Sequence, residues 1–165
     1  LESGTSTLSR RDVEVGVLVE EMAREARGFI EPVGLTLAVA VAPELTGVRL
    51  SLDAERIRHV FMNLLTNAVK YSPAGGVVGL SATVEPGLVR FAVRDAGPGI
   101  PAESVTRVFD RFYRAPDQVK SGAGLGLAIA REIVVAHGGS IACTSEVGRG
   151  AEFYFLLPVA ATSSS

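Results

Sequence analysis

One cysteine, two histidines and no tryptophan in 165 residues exclude several chemistries at the outset. A lone Cys143 can form neither an internal disulfide nor a cysteine-built zinc site. Set in the strand-like stretch SIACTS, it is expected to be a buried, inert thiol. Two histidines far apart in sequence are a poor basis for a histidine-rich metal site. The net charge is only -2, which offers no general cationic surface for nucleic acid. No apolar run approaches the roughly 20 residues of a membrane-spanning helix, and no signal-peptide pattern opens the chain. The expectation is a soluble, cytoplasmic domain with no direct membrane contact.

What is present suits one compact domain, with 47% hydrophobic and 21% charged residues. Residues 1–10, rich in Ser, Thr and Gly, read as a linker, 11–158 as the domain, and 159–165 as a disordered tail. Val13, Val15, Leu18, Val19, Met22, Ala23 and Ala26 predict a first amphipathic helix running to about Phe29. Short strands follow at Leu35–Val41 and Val48–Leu52. Asp53 then reads as the N-cap of a helix that ends at Ser72-Pro73, because the residue before a proline avoids the helical region. Val77–Val84 and Leu88–Arg94 predict a hairpin around Glu85-Pro86-Gly87. Beyond Pro101 a short helix is expected through Phe109, and the irregular segment to Gly122 has the composition of a mobile loop. Leu125–Ala136 predicts a further helix stopped by Gly138-Gly139. Ser140–Ser145 and Ala151–Leu157 form a closing hairpin.

The helix after Asp53 carries two stripes. Ile57, Val60, Phe61, Leu64, Leu65 and Ala68 have core spacing, whereas His59, Asn63, Asn67 and Lys70 fall, at roughly 100° per residue, within an arc of about 80°. That polar arc is either a solvated face or one wall of a site. Two amides followed by a lysine, beside the apolar stripe, suit a metal-phosphate group.

Two glycine-rich stretches supply further candidates. In Asp95-Ala96-Gly97-Pro98-Gly99-Ile100 a carboxylate ends a strand and glycines alternate after it. This is either a plain glycine turn or a place where backbone approaches a planar ligand and the carboxylate accepts from an exocyclic amine such as that of adenine. In Gly122-Ala123-Gly124-Leu125-Gly126-Leu127 a glycine loop opens a helix, whose free N–H groups and positive dipole end favour an anion. The spacing is neither G-x-G-x-x-G nor a P-loop.

Taken in order, NLLTNAVKYS, DAGPGI, FDRFYR, GAGLGLAIA and HGGSIACTSEVGRGAEFYFLLP resemble the catalytic ATP-binding domain of sensor histidine kinases, in the gyrase, Hsp90, histidine kinase and MutL superfamily. The resemblance covers about Arg11 to Pro158. It implies an α/β (α+β) two-layer sandwich, the Bergerat fold, with a mixed, mostly antiparallel sheet on about three helices. It further implies ATP and Mg2+ as cofactors. Asn67 would coordinate magnesium with Asn63 in support, Lys70 would contact phosphate, and Tyr71 would pack near the base. Asp95 would accept from the adenine amine, with Gly97 and Gly99 giving the base room and Ile100 beside them. Phe109 and Phe112 match the aromatic motif at the foot of the nucleotide lid, and Arg114 matches the arginine that reaches for the terminal phosphate. Gly122, Ala123, Gly124, Leu125, Gly126 and Leu127 would hold the phosphates.

The resemblance also implies partners. The phosphoacceptor histidine would lie on a separate dimerisation domain, with a response regulator downstream and a parent protein that the inner membrane could anchor. His59 and His137 are expected to be structural or site-lining. Hydrolysing relatives carry a glutamate four residues before the metal-binding asparagine. Asn63 stands there and cannot act as a general base, which favours phosphotransfer over hydrolysis. Ala151 departs from the usual Ser or Thr, and Arg149 reads as a surface charge. A serine-directed kinase of the anti-sigma type and a non-catalytic nucleotide sensor are the other readings.

Overall fold

The computed structural model describes residues 8–98, 109, 125–145, 147–148 and 150–159. Its elements in order are β1 (Arg11–Glu14), α1 (Val15–Ile30), β2 (Thr36–Val41), β3 (Arg49–Leu52), α2 (Ala54–Tyr71), β4 (Val77–Glu85), β5 (Leu88–Arg94), α3 (Leu125–Ala136), β6 (Ser140–Ser145) and β7 (Ala151–Pro158). The predicted strands and helices match these ranges closely. The short helix expected up to Phe109 and the loop beyond it lie outside the described residues, Phe109 itself excepted.

One expectation is corrected at the start of the chain. Val13 belongs not to the first helix but to β1, which pairs antiparallel with β3, Val13 opposite Leu50. Helical spacing runs through Val13 by coincidence, and the strand is held by a partner far along the chain. α1 begins only at Val15, whose N–H donates to Val48 O at 2.9 Å.

The main sheet has five strands in the order β2-β4-β5-β7-β6. Only β2 and β4 run parallel; the other neighbours are antiparallel. Three helices cover one face, giving the two-layer arrangement expected. On that face Val89, Phe91 and Val93 alternate with outward residues along β5, as do Phe153, Phe155 and Leu157 along β7. Phe91 and Phe155 are opposed across the strands and stack at 5.1 Å. Phe61 of α2 meets both edge-on, at 5.4 and 5.2 Å, so three fully buried rings fix α2 on the centre of the sheet. On the opposite face Arg90 lies over the Tyr154 ring at 4.1 Å and pairs with Glu152.

The local signals behind α2 are as read from the sequence. Asp53 caps it by accepting from Arg56 N–H at 3.2 Å. Ser72 closes it in extended conformation before Pro73. The end of α2, the end of β5 and the start of β7 come together at one end of the sheet.

Candidate functional site

At that end Asp95 follows directly on β5 and is buried, at 5% exposure. Its Oδ1 accepts from Gly97 N–H at 2.8 Å and from Ala151 N–H at 3.2 Å. Among the described residues nothing donates to Oδ2. Burial raises the carboxyl pKa above its ordinary value, against the pull of those two N–H groups and of Arg94. A buried carboxylate with one oxygen oriented and one open suits a neutral N–H donor such as an exocyclic amine.

The backbone around it is packed too closely for side chains. A Cβ on Gly97 would stand 2.2 Å from Tyr71 O, the last carbonyl of α2. A Cβ on Gly150 would stand 2.2 Å from Asp95 O, and Gly150 also has φ of 86°. Gly148 N–H donates to Pro98 O at 2.7 Å. The Asp95–Pro98 segment is thus clamped between α2 and the β6–β7 hairpin. The two hairpin glycines were not among the sequence candidates, although the pattern VGRG before an apolar strand carries the signal.

α2, whose last carbonyl lies against Gly97, carries the polar stripe. Asn63 and Asn67 are half-buried, and His59 and Lys70 are exposed. Lys70 Nζ lies 5.9 Å from the centre of the Tyr71 ring. Asn63 Nδ2 donates to Gly126 O at 3.1 Å, which holds the first turn of α3 against α2. A Cβ on Gly126 would make ordinary contact with the Asn63 side chain, 3.5 Å from its Oδ1. Among the described residues nothing hydrogen-bonds the Asn67 side chain, which stays available. Of the aromatic motif, Phe109 is buried against Phe153, edge to face at 5.9 Å.

Asn63, Asn67, Lys70, Tyr71, Asp95, Gly97, Gly126 and Leu127 therefore stand in the described structure, as does the backbone of Leu125. Gly99, Ile100, Phe112, Arg114, Gly122, Ala123, Gly124 and Arg149 lie outside it. His137 is buried with its ring bonded to the backbone of Asp53 and Ile133, the structural role expected. Cys143 is buried as well, and burial pushes its thiol up to about 12, with the Asp95 and Glu152 charges adding to it. A groove where α1 meets the edge strand is lined by Glu14, Gly16, Val17, Val39 and Val41, and none of the candidate residues faces it.

Among the described residues no group of three acidic, histidine or cysteine side chains could cage a metal. A divalent ion here would arrive with its phosphates and take an amide oxygen, which fits magnesium. No described helix is long and apolar enough to cross a membrane.

Comparison with known proteins agrees with this chemistry. Residues 52–161 match the family described as histidine kinase-, DNA gyrase B- and HSP90-like ATPase, and the chain belongs to that family. Within it the likeness is to the catalytic ATP-binding domains of sensor histidine kinases. The adaptive-response sensory kinase SasA of Nostoc sp. is 39% identical over 150 residues, 88% of this chain and 36% of that kinase. Full-length ShkA in complex with AMPPNP superposes with a TM-score of 0.83 at 34% identity, over 96% of this chain and 33% of ShkA. The nucleotide-free catalytic domain of histidine kinase ThkA gives 0.79 at 27% identity, over 92% of this chain and 97% of that domain. The chain thus spans about a third of the length of SasA.

Proposed function

We propose that residues 11–158 are the ATP-binding catalytic domain of a sensor histidine kinase. In this reading the domain binds Mg-ATP and presents the γ-phosphoryl group to a histidine on a separate dimerisation domain, for relay to a response-regulator aspartate. The observation that carries it is the buried Asp95 carboxylate, fixed through one oxygen and open at the other, in a segment packed against the end of α2, the helix that carries Asn63, Asn67 and Lys70.

Each residue then has a task. Asp95 Oδ2 accepts from the adenine amine, and Gly97 keeps the backbone close beside it. The Asn67 amide oxygen is free to take the metal, while Lys70 contributes a mobile point charge to the phosphates. Asn63 holds the start of α3, and the N–H groups and dipole of a helix start suit the phosphate chain. Arg114, Gly122 and Gly124 join this set on sequence alone. Bound ATP supplies the phosphoryl group and Mg2+ neutralises its charge. Glu55, in the first turn of α2, is the only carboxylate of that helix, so α2 offers no carboxylate to activate water near Asn67. Positioning and charge neutralisation remain, which suits transfer to an external nucleophile.

The test is calorimetric titration with ATP, with and without magnesium, followed by incubation with a dimerisation domain in trans. Binding that needs magnesium, is lost in Asn67→Ala and yields a base-stable, acid-labile phosphohistidine is the expected outcome. Unchanged affinity in Asn67→Ala would overturn the metal assignment, and binding without transfer would reduce the domain to a nucleotide sensor.

A further inference from the structure

α2 and α3 lie antiparallel and are tied at two points. At the nucleotide end Asn63 Nδ2 donates to Gly126 O at 3.1 Å. At the far end Asp53 N–H donates to His137 Nε2 at 3.0 Å. Ten residues of α2 and eleven of α3 separate the two ties, about 15 Å along each helix. Because Asp53 N–H can only donate, His137 Nε2 must be bare, and Nδ1 carries the proton and donates to Ile133 O at 2.8 Å. The ring is 3% exposed. Burial first, and the cations Arg10 and Arg56, hold it neutral, against the opposite pull of the Ile133 bond and of the Asp53 charge.

The far tie has a third member. Asp53 Oδ2 accepts from Ser9 N–H at 2.9 Å, and Arg10 Nη1 donates to Ser51 O at 2.9 Å. The residue that His137 fixes through its backbone is the same one that seats the incoming N-terminal segment through its side chain. A shift of α3 would move the acceptor on His137 and with it the cap on which Ser9 rests.

We propose that His137 is a positioning residue coupling nucleotide binding at the start of α3 to the seating of the Ser9–Arg10 segment on Asp53. The proposal rests on the ATP reading above. It makes the histidine a mechanical link to whatever precedes Ser9, with no part in the phosphoryl chemistry. Coupling is reciprocal, so the factor by which ATP tightens the Ser9 contact must equal the factor by which losing that contact weakens ATP.

The measurement is amide hydrogen exchange at Ser9 by NMR, with the buried sheet amide of Phe91 reporting global opening. Without nucleotide, His137→Phe, which keeps a planar ring and deletes the acceptor, is expected to speed Ser9 exchange about tenfold beyond any change at Phe91. His137→Gln, with an amide oxygen near the Nε2 position, is expected to restore protection. Ser9 exchange that merely follows Phe91 would overturn the coupling. If His137→Phe does not fold, Ser9→Pro still decides, since it deletes the Ser9 N–H donor outside the core. It is expected to weaken Mg-ATP by the same factor by which Mg-ATP slows Ser9 exchange in the unaltered chain. ATP binding that leaves Ser9 exchange unmoved would overturn the coupling alone, and no ATP binding by the unaltered chain would overturn both readings.

Discussion

The side chain of Asn63 and the carbonyl of Gly126 stand 3.1 Å apart as donor and acceptor, which joins the middle of α2 to the first turn of α3. The residue gives its donor to the first turn of α3. Asn63→Asp removes the donor and sets a carboxylate against a carbonyl oxygen, and is expected to lower stability by about 1–3 kcal/mol. Urea denaturation measures the loss, and a parallel fall in ATP affinity shows that α3 has shifted.

Asp95→Asn separates stability from function. The asparagine oxygen still accepts from Gly97 and Ala151, so the loop is kept. Since the folded pKa of Asp95 is raised, the folded state binds its proton more readily than the unfolded state does. Wild-type stability therefore falls as pH rises from the ordinary carboxylate value through the raised one, and the variant lacks that slope. Denaturation across this window is expected to show Asp95→Asn gaining on the wild type toward neutral pH. Its ATP affinity is expected to fall by about 1–3 kcal/mol while GTP changes little. Equal weakening of both nucleotides would remove the adenine contact.

Gly148 and Gly150 share φ of 86°, but only Gly150 faces backbone. Gly148→Ala meets open space and is expected to cost about 1–2 kcal/mol from the left-handed conformation alone. Gly150→Ala adds a collision with Asp95 O and is expected to cost about 3 kcal/mol or more. Thermal melts of the two variants give the comparison, and equal losses would mean the hairpin yields freely.

Cys143, buried and with its thiol pushed up to about 12, is expected to resist iodoacetamide at pH 8 in the folded protein. It is expected to react once urea unfolds the chain. Mass spectrometry distinguishes the two, and rapid labelling of the native protein would contradict the packing of β6.

Most of the fold could be read from periodicity. Alternation marked β4, β5 and β7, three-and-four spacing marked α1, α2 and α3, and Asp53, Ser72-Pro73 and Gly138-Gly139 marked where helices start or stop. β1 escaped because RDVE, three charged residues and one valine, has no pattern of its own and depends on β3 for definition. The site was legible as residue types, with Asp95, Asn67 and Gly97 in the described part. Their joining was not: Asn63 with Gly126, Gly150 with Asp95 and His137 with Asp53 are pairings across 63, 55 and 84 residues. Each is a single contact that no local spacing announces.

The strand order places β7 between β5 and β6, although it is the last strand of the sequence. As the chain leaves the ribosome, β5 must therefore wait with the edge Leu88–Arg94 unpaired until residues 151–158 are made. The same late strand brings the Ala151 N–H that orients Asp95. The Asp95 carboxylate is thus oriented only once β7 has been made, and a chain stopped before β7 would present an apolar, pairing-competent strand edge.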